Sequence, residues 1–310
     1  MFAEEIKFHK QRADIFYERV KACVYSNAVR LNCMFAPSEQ PVPFEKRLGL
    51  QYSKLEPGGR WGQNYSSAWF HITGTVPQEF EGLELALIFD PGGESMIFGN
   101  DGIPVCGLTG GSVFSPNYRK TAFRINGSHK AGDKLEFWIE GAANDLFGLV
   151  NPLSFFRETE HPRHAFTGLL GACDLAVFNR EAWNLQLDLQ VLLSLLKTLP
   201  EGDWRIRRLL GVLGRAADAW NENPANSAAA RGILKEFLDL RPSGAVMTAH
   251  GVGHAHIDTG WLWPVRETIR KCARSFSSQL MLIDEYPEYI FGASAAQHYA
   301  FIKENYPGLY

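Results

Sequence analysis

The chain has 310 residues, more than one domain usually holds, so two or three domains are expected. Hydrophobic residues make up 45% and charged residues 21% of it, a balance typical of a soluble protein with a well-filled core, so long disordered stretches are not expected. The net charge of −3 gives no reason to expect nucleic acid or an anionic membrane surface as a partner.

Cysteine usage and apolar runs indicate the cellular compartment. The five cysteines are scattered and form no CxxC, so neither a disulfide framework nor a cysteine-ligated zinc site is expected. The N-terminal segment is charged throughout and lacks the apolar core of a secretory signal. No run of about 18 apolar residues occurs in the sequence. These features predict a cytoplasmic protein.

The first half of the chain predicts a helix followed by a β-sandwich. Apolar residues recur at helical spacing over 4–22, and three prolines between 37 and 43 predict a loop. Between 66 and 140 short alternating segments appear, with a hairpin turn at Asn100-Asp101-Gly102. The predicted strands are 67–76, 83–89, 95–98, 121–125 and 134–140. Their spacing indicates a β-sandwich or jelly roll of about a hundred residues.

The second half predicts helices and then alternating strands and helices. Three segments with apolar helical faces span 181–199, 203–221 and 226–240. Beyond Pro242-Ser243-Gly244 the order becomes strand, loop, helix, strand, helix. These elements are predicted at 245–253, 254–264, 267–286, 289–293 and 295–305. Two consecutive βα units open a parallel α/β domain or barrel.

We therefore predict a multidomain α+β fold in three parts. Residues 1–155 form an N-terminal helix and a jelly-roll-like β-sandwich, and residues 156–244 form a helical linker. Residues 245–310 form the first two βα units of a (β/α) barrel. That barrel is incomplete in this chain, because such a domain takes about 250 residues.

The candidate site is the loop after the first barrel strand, where active sites of parallel α/β folds collect. In an extended chain His254, His256 and Asp258 project to the same side. An imidazole and a carboxylate two residues apart can chelate one divalent ion, and these ligand types suit zinc, cobalt or manganese. The outer pair would lie ~13 Å apart on a straight strand, so one of the three supports the site or contacts substrate instead.

Two tryptophans follow this motif. Either Trp261 or Trp263 could plug the end of a barrel core, or offer an indole platform for a pyranose ring beside the metal. We assign the sugar to Trp261, which is nearer to Asp258 along the chain, and Gly260 permits a tight turn between them. Residues 266–267 are expected to be solvated or paired residues at the start of the helix.

Residues 253–289 resemble the first βα unit of the class II α-mannosidases, glycoside hydrolase family 38. They match its cytosolic and bacterial branch in the His-Ile-Asp-Thr of residues 256–259, followed by a small residue and Trp-Leu-Trp-Pro. The run 270–276, Arg-Lys-Cys-Ala-Arg-Ser-Phe, is matched as well. Residues 291–307 are similar to the family's next strand and helix, and residues 69–107 to the N-terminal sandwich of the same branch. Gly260 stands where alanine is more usual.

The resemblance implies a retaining, metal-dependent α-mannosidase that removes terminal α-linked mannose from oligomannose or small mannosides. It implies that His256 and Asp258 are metal ligands and that Trp261 packs on the mannose ring. His254 would be a neighbouring substrate-binding group. Zinc is the expected ion, with cobalt or manganese as alternatives.

The resemblance also places the nucleophile, the acid/base and the remaining metal ligands beyond Tyr310. No catalytic residue is therefore assigned within this chain, and the 310 residues alone are expected to hydrolyse nothing. The expected partner is a mannose-containing oligosaccharide or mannoside, without nucleic acid or membrane. Assembly into a homo-oligomer stays open.

Two other interpretations stay open. In a barrel metallohydrolase of the amidohydrolase type, His254 and His256 would be the ligand pair, and Asp258 would have no evident role. The β-sandwich could also be a carbohydrate-binding module. The simpler alternative is a structural domain that frames the active site or assembles an oligomer.

Overall fold

A computed structural model describes residues 3–63, 65–110, 119–144, 167–241, 248–261 and 263–310. The chain forms two compact units, of which the first consists of Met1–Ala28, Leu83–Leu85 and Ala176–Thr248. The second consists of Val29–Gly82, Ala86–Leu175 and Ala249–Tyr310. The domain boundaries predicted after residues 155 and 244 lie outside the described residues and stay predictions.

The first unit is helical. Its helices are α1 (Ala3–Ala22), α2 (Arg180–Thr198), α3 (Trp204–Trp220) and α4 (Ser227–Leu238). All four contribute to one buried apolar cluster, which includes Phe16 of α1, Leu189 of α2, Leu213 of α3 and Leu234 of α4. The predicted helices are confirmed to within two residues at each end. The N-terminal helix shares its core with helices that follow it by more than 150 residues in sequence, an association that the local pattern did not indicate.

Most strands form the β-rich, jelly-roll-like part of the molecule. The strands are β1 (Tyr25–Arg30), β2 (Asn32–Ser38), β3 (Ser53–Lys54), β4 (Arg60–Gln63), β5 (Ser67–Thr75), β6 (Leu85–Asp90), β7 (Glu94–Phe98), β8 (Pro104–Thr109), β9 (Ala122–Ile125), β10 (Lys134–Ala142), β11 (Thr167–Leu169) and β12 (Ala172–Phe178). Described strands pair in the order β3-β2-β5-β10-β7-β8 in one sheet and β1-β12-β6-β9 in another, and β11 pairs with β4. The predicted sandwich strands are confirmed, with small shifts at their ends.

The loop predicted around Pro37 is wrong in its first part, because Pro37 lies in β2 opposite Ala68 of β5. Proline is tolerated in a sheet where a strand has a partner on only one side. Strand β3 pairs with Met34 and Phe35 and stops short of position 37. Among the described strands, β2 is therefore paired at position 37 with β5 alone, a feature of the tertiary pairing that the local sequence does not show.

The remaining elements are β13 (Gly253–His254), α5 (Val265–Glu285), β14 (Phe291–Gly292) and α6 (Ala296–Asn305). Strands β13 and β14 pair in parallel, with His254 opposite Gly292. The predicted strand–helix–strand–helix order is confirmed, but the strand predicted over 245–253 is wrong in extent. Among the described residues only its last one, Gly253, is extended and paired, because β14 offers a partner only two residues long. The closure of these units into a barrel stays a prediction.

Strand β5 is covered on both faces. Phe70 contacts Phe89 of β6, with ring centroids 5.1 Å apart, so this face packs on the other sheet. Trp69, its neighbour in sequence and therefore on the opposite face, belongs to a buried cluster with Cys272 and Ala273 of α5. The sandwich is thus the surface on which the first helix of the βα segment packs. None of the helices among the described residues combines the length and apolarity that a bilayer crossing requires.

Candidate functional site

The predicted His-x-Asp pair lies in the loop between β13 and α5. The Nε2 atom of His256 is 3.2 Å from Oδ1 of Asp258, and these side chains are 80% and 43% exposed. The ring of His254 is held apart from this pair, because its Nδ1 lies 2.8 Å from the backbone oxygen of Gly292 in β14. The structure therefore brings two of the three predicted polar groups together and ties the third to the neighbouring strand.

The donor set of this pair fits part of a divalent metal shell. An imidazole nitrogen and a carboxylate oxygen are ligands that zinc accepts in tetrahedral sites, and the two lie 3.2 Å apart on exposed side chains. A complete shell needs further ligands, and the described ranges contain no group of three or more His, Cys, Asp and Glu side chains placed to hold an ion. Within them, His256 and Asp258 can supply two ligands of a larger set.

The two tryptophans have different environments. Trp261 is 50% exposed, and its ring meets that of Trp263 edge to face at 5.7 Å between centroids. Gly260 has a φ of 70°, which confirms the tight turn predicted before Trp261. Trp263 is partly buried, and Nζ of Lys271 lies 4.5 Å from its ring centroid. Trp261, three residues after Asp258 in the chain, thus exposes half of its surface and packs against the partly buried Trp263.

A buried histidine on α6 also borders the loop. The Nε2 atom of His298 lies 3.2 Å from Oγ1 of Thr259, and only 5% of His298 is exposed. Burial, and to a smaller extent the proximity of His256, lowers the pKa of His298. The ring is therefore neutral at neutral pH and fixes the loop as a hydrogen-bonding group.

Behind the loop, α5 is joined to the sandwich by buried charges. Arg270 donates to Ser67 Oγ at 2.8 Å and to Glu140 Oε1 of β10 at 3.1 Å, and it pairs with Glu267 on its own helix. Burial alone would lower the pKa of Arg270, but the charges of Glu267 and Glu140 raise it above its ordinary value. The sequence predicted that Glu267 would be solvated or paired, and it is paired and 1% exposed.

A second branch of this network lies at β7. Glu94 accepts from Lys271 Nζ at 2.6 Å, from Arg274 at 3.2 Å and from Asn144 Nδ2 at 3.0 Å. Arg274 also pairs with Glu267, which closes the network. The spacing of Glu267, Arg270 and Arg274 places these side chains on one helical face, a local signal that could have been read. Their partners on β7 and β10 had no such signal.

This network predicts acid sensitivity. Burial would raise the pKa of Glu94, but Arg274 and Lys271 outweigh it and hold that pKa well below the ordinary 4.5. The ionised Glu94 therefore stabilises the fold fully above pH 4.5, and this stabilisation is lost as the pH falls towards the lowered pKa of Glu94. Glu94→Gln should reduce the free energy of unfolding at pH 7 by about 1.5–3 kcal/mol. It should also weaken the loss of stability between about pH 5 and pH 3.

Urea unfolding of the wild type and the variant at a series of pH values measures this effect. Glu79→Gln, at an exposed carboxylate of the same unit, is the control and should leave both quantities unchanged. Identical pH profiles for Glu94→Gln and the wild type would contradict the assigned role of Glu94.

The sandwich shows no tryptophan platform in its described part. Trp61, Trp69 and Trp138 are 3%, 1% and 7% exposed and pack the interior. Their burial favours the structural interpretation of this domain over the carbohydrate-binding one. Core packing explains these three tryptophans.

Fold and loop together define a multidomain α+β protein in which a β-sandwich supports the opening βα units of a domain with a candidate metal loop. A family model described as alpha-mannosidase, jelly roll domain, matches residues 27–175. A second, described as glycosyl hydrolases family 38 N-terminal domain, matches residues 246–310. Residues 246–310 thus match the N-terminal domain of glycosyl hydrolase family 38, the family that residues 253–289 resemble.

Curated relatives agree with this assignment. Alpha-mannosidase 2C1 of Mus musculus is 31% identical over 92% of this chain and 26% of that protein. Alpha-mannosidase G of Dictyostelium discoideum is 30% identical over 95% of this chain and 26% of that protein. For alpha-mannosidase of Saccharomyces cerevisiae the identity is 26%, over 97% of this chain and 28% of that protein. The chain thus spans about a quarter of the length of the curated relatives it matches.

A comparison of folds adds nothing to this. A β-glucuronidase of Faecalibacterium prausnitzii, aligned over 49% of this chain and 31% of its own, gives a TM-score of 0.30 at 10% identity. That likeness is too slight to carry an argument. The assignment depends on sequence similarity, which favours the α-mannosidase interpretation over the amidohydrolase one.

Proposed function

We propose that this chain belongs to a metal-dependent α-mannosidase that removes terminal α-linked mannose from oligomannose or small mannosides. The observation that carries the proposal is the exposed His256–Asp258 pair, followed three residues later by the half-exposed Trp261, inside the segment matched by the family 38 domain. The mouse and Dictyostelium relatives are α-mannosidases by name, which supports the same substrate class.

In this proposal His256 and Asp258 hold a divalent ion, with zinc first and cobalt or manganese as alternatives. When bound, the ion would supply Lewis-acid attraction for neighbouring hydroxyls of the sugar. Trp261 would pack its exposed face on the apolar side of the mannose ring. His254, fixed through Nδ1 by Gly292, would offer Nε2 to a hydroxyl of the same sugar. We assign neither the nucleophile nor the acid/base to residues of this chain.

The setting of the reaction is part of the proposal. A cytoplasmic location stays a prediction from the sequence, and assembly into a homo-oligomer stays open. The substrate is expected to reach the site as a soluble oligosaccharide or mannoside, without nucleic acid or membrane as a partner.

The test uses the complete product of the gene that encodes this chain, assayed on an aryl α-mannoside. Removal of divalent ions with a chelator should abolish hydrolysis, and zinc, cobalt or manganese, added back singly, should restore it and so identify the ion. Hydrolysis that continues at full rate in the chelated, metal-free protein would refute metal dependence. A folded protein inactive with every ion on α-mannosides would refute the assignment.

A further inference from the structure

One buried hydroxyl joins three separate points of the candidate metal loop. Thr268, in the first turn of α5, is 0% exposed. Its Oγ1 donates to the backbone oxygen of Asp258 at 3.1 Å. The same atom accepts from the amide of Gly260 at 3.0 Å and from Nε1 of Trp263 at 2.9 Å. A hydroxyl has one donor and two acceptor positions, so the hydrogen-bonding capacity of Thr268 is used completely by the loop.

These three bonds act on the residues that the proposed chemistry needs. Asp258 is the proposed metal ligand, and the bond to its backbone oxygen fixes where its side chain starts. Gly260 directly precedes Trp261 and holds the left-handed φ of 70° that turns the chain there. Trp263 packs against Trp261 at 5.7 Å between ring centroids. A single atom therefore sets the relative positions of the ligand and of the indole platform.

Thr268 is itself held on a rigid support. Its neighbour Glu267 is buried and paired with Arg270, which reaches Ser67 and Glu140 of the sandwich. Side chains that must be placed to within about 0.5 Å need such a locked support beneath them. The buried charges thus immobilise the first turn of α5, and the Thr268 hydroxyl transfers that fixed position to the loop.

We infer that Thr268 is a positioning residue that couples the metal ligand Asp258 to the sugar platform Trp261. The inference rests on the proposed function and deepens it, because it names the group that aligns both halves of the site. Thr268 is 0% exposed and acts through the backbone of the loop and through Trp263.

The test compares three variants of the complete gene product, with cobalt(II) alone as the probe. Thr268→Val keeps the shape of the side chain and removes the hydroxyl, so cobalt affinity should fall about 10- to 100-fold, as when partners of metal ligands are removed elsewhere. Thr268→Ser should bind cobalt nearly as the wild type does. Ser277→Ala removes another buried hydroxyl of α5, which bonds to the backbone of Arg274, and should leave the affinity unchanged.

Calorimetric titration and the visible absorption of bound cobalt measure the affinity, and circular dichroism verifies the fold. Equal cobalt affinities for folded Thr268→Val and the wild type would overturn the inference. If Thr268→Val does not fold, the variant Trp263→Phe tests the inference instead, because it removes one of the three bonds to the Thr268 hydroxyl. Loss of its indole N–H should raise KM for an aryl α-mannoside about 2- to 10-fold with kcat little changed, the weight of one hydrogen bond. An unchanged KM would overturn the inference.

Failure of the proposed function has a different signature. A wild-type protein that binds no cobalt would refute the metal site, whatever Thr268 does. In that case hydrogen exchange at the Gly260 amide still tests the contact, because this N–H donates to Thr268. Faster exchange of the Gly260 amide in Thr268→Val would support the inference that Thr268 positions the loop. Exchange at the wild-type rate would refute that inference.

Discussion

Replacing His256 by alanine is expected to weaken zinc or cobalt binding by more than ~100-fold. Loss of a residue that only hydrogen-bonds a metal ligand costs up to ~100-fold, and loss of a ligand should cost more. Hydrolysis of an aryl α-mannoside by the complete gene product should fall at least as far. The physical reason is the geometry of the pair, whose nitrogen and oxygen lie 3.2 Å apart, close enough for both to bind one ion. Removal of the imidazole leaves a single carboxylate from this loop.

His254→Ala is the matched control, because it removes the same side chain two residues away. Its ring is engaged by the backbone oxygen of Gly292, so its loss should spare metal binding and raise KM instead. The amidohydrolase interpretation makes the opposite prediction, since His254 and His256 would then be ligands of equal importance. Calorimetry with zinc on both variants separates the two. Loss of binding in His254→Ala would contradict His256 and Asp258 as the ligand pair of this loop.

Replacing Arg270 by methionine is expected to lower the free energy of unfolding by about 3–5 kcal/mol, the usual effect of removing one partner from a buried ion pair. The guanidinium is 3% exposed at its side chain and satisfies Glu140 and Glu267, which are 6% and 2% exposed. Methionine keeps most of the volume, so the loss reflects buried Glu140 without its cation and buried Glu267 with Arg274 as its remaining partner. Urea unfolding at neutral pH, followed by tryptophan fluorescence, measures it.

Arg30→Met is the control in the same compact unit. Arg30 pairs with Asp174 at 2.6 Å, but its side chain is 50% exposed, so its loss should cost less than about 1 kcal/mol. A double variant, Glu140→Gln with Arg270→Met, should recover part of the lost stability, because it removes the buried carboxylate that loses its cation together with that cation. Similar small losses for Arg270→Met and Arg30→Met would contradict a stabilising role of the buried network.

The cost of Arg270→Met has a functional side as well. The helix that carries Arg270 begins directly after the metal loop, and its first turn contains Thr268. Weaker packing of α5 on the sandwich in Arg270→Met should therefore reduce the affinity for cobalt even when the protein stays folded. This would give the jelly-roll domain a role in aligning the site, consistent with the structural rather than the carbohydrate-binding interpretation.

Local chemistry determined much of what could be predicted. The helical spacing of apolar residues located α1 to α6 to within two residues, because a helix that packs on a core must present one apolar face. The alternation with period 2 and the Asn100-Asp101-Gly102 turn located the sandwich hairpin, where Gly102 has a φ of 80°. The His-x-Asp motif pointed to the loop because its chemistry lies within three residues.

What only the tertiary structure decided depends on residues far apart in the chain. Arg270 meets Ser67 across 203 positions and Glu140 across 130, and no local pattern encodes such pairs. Two other features also depend on residues that are distant in the chain. One is the packing of α1 against α2, α3 and α4, and the other is the pairing of Pro37 in β2 with β5. Thr268 reads as an ordinary helix residue in the sequence. Its role appears only when the loop folds back over α5 and places three polar groups around one hydroxyl, because hydrogen bonds depend on position in space.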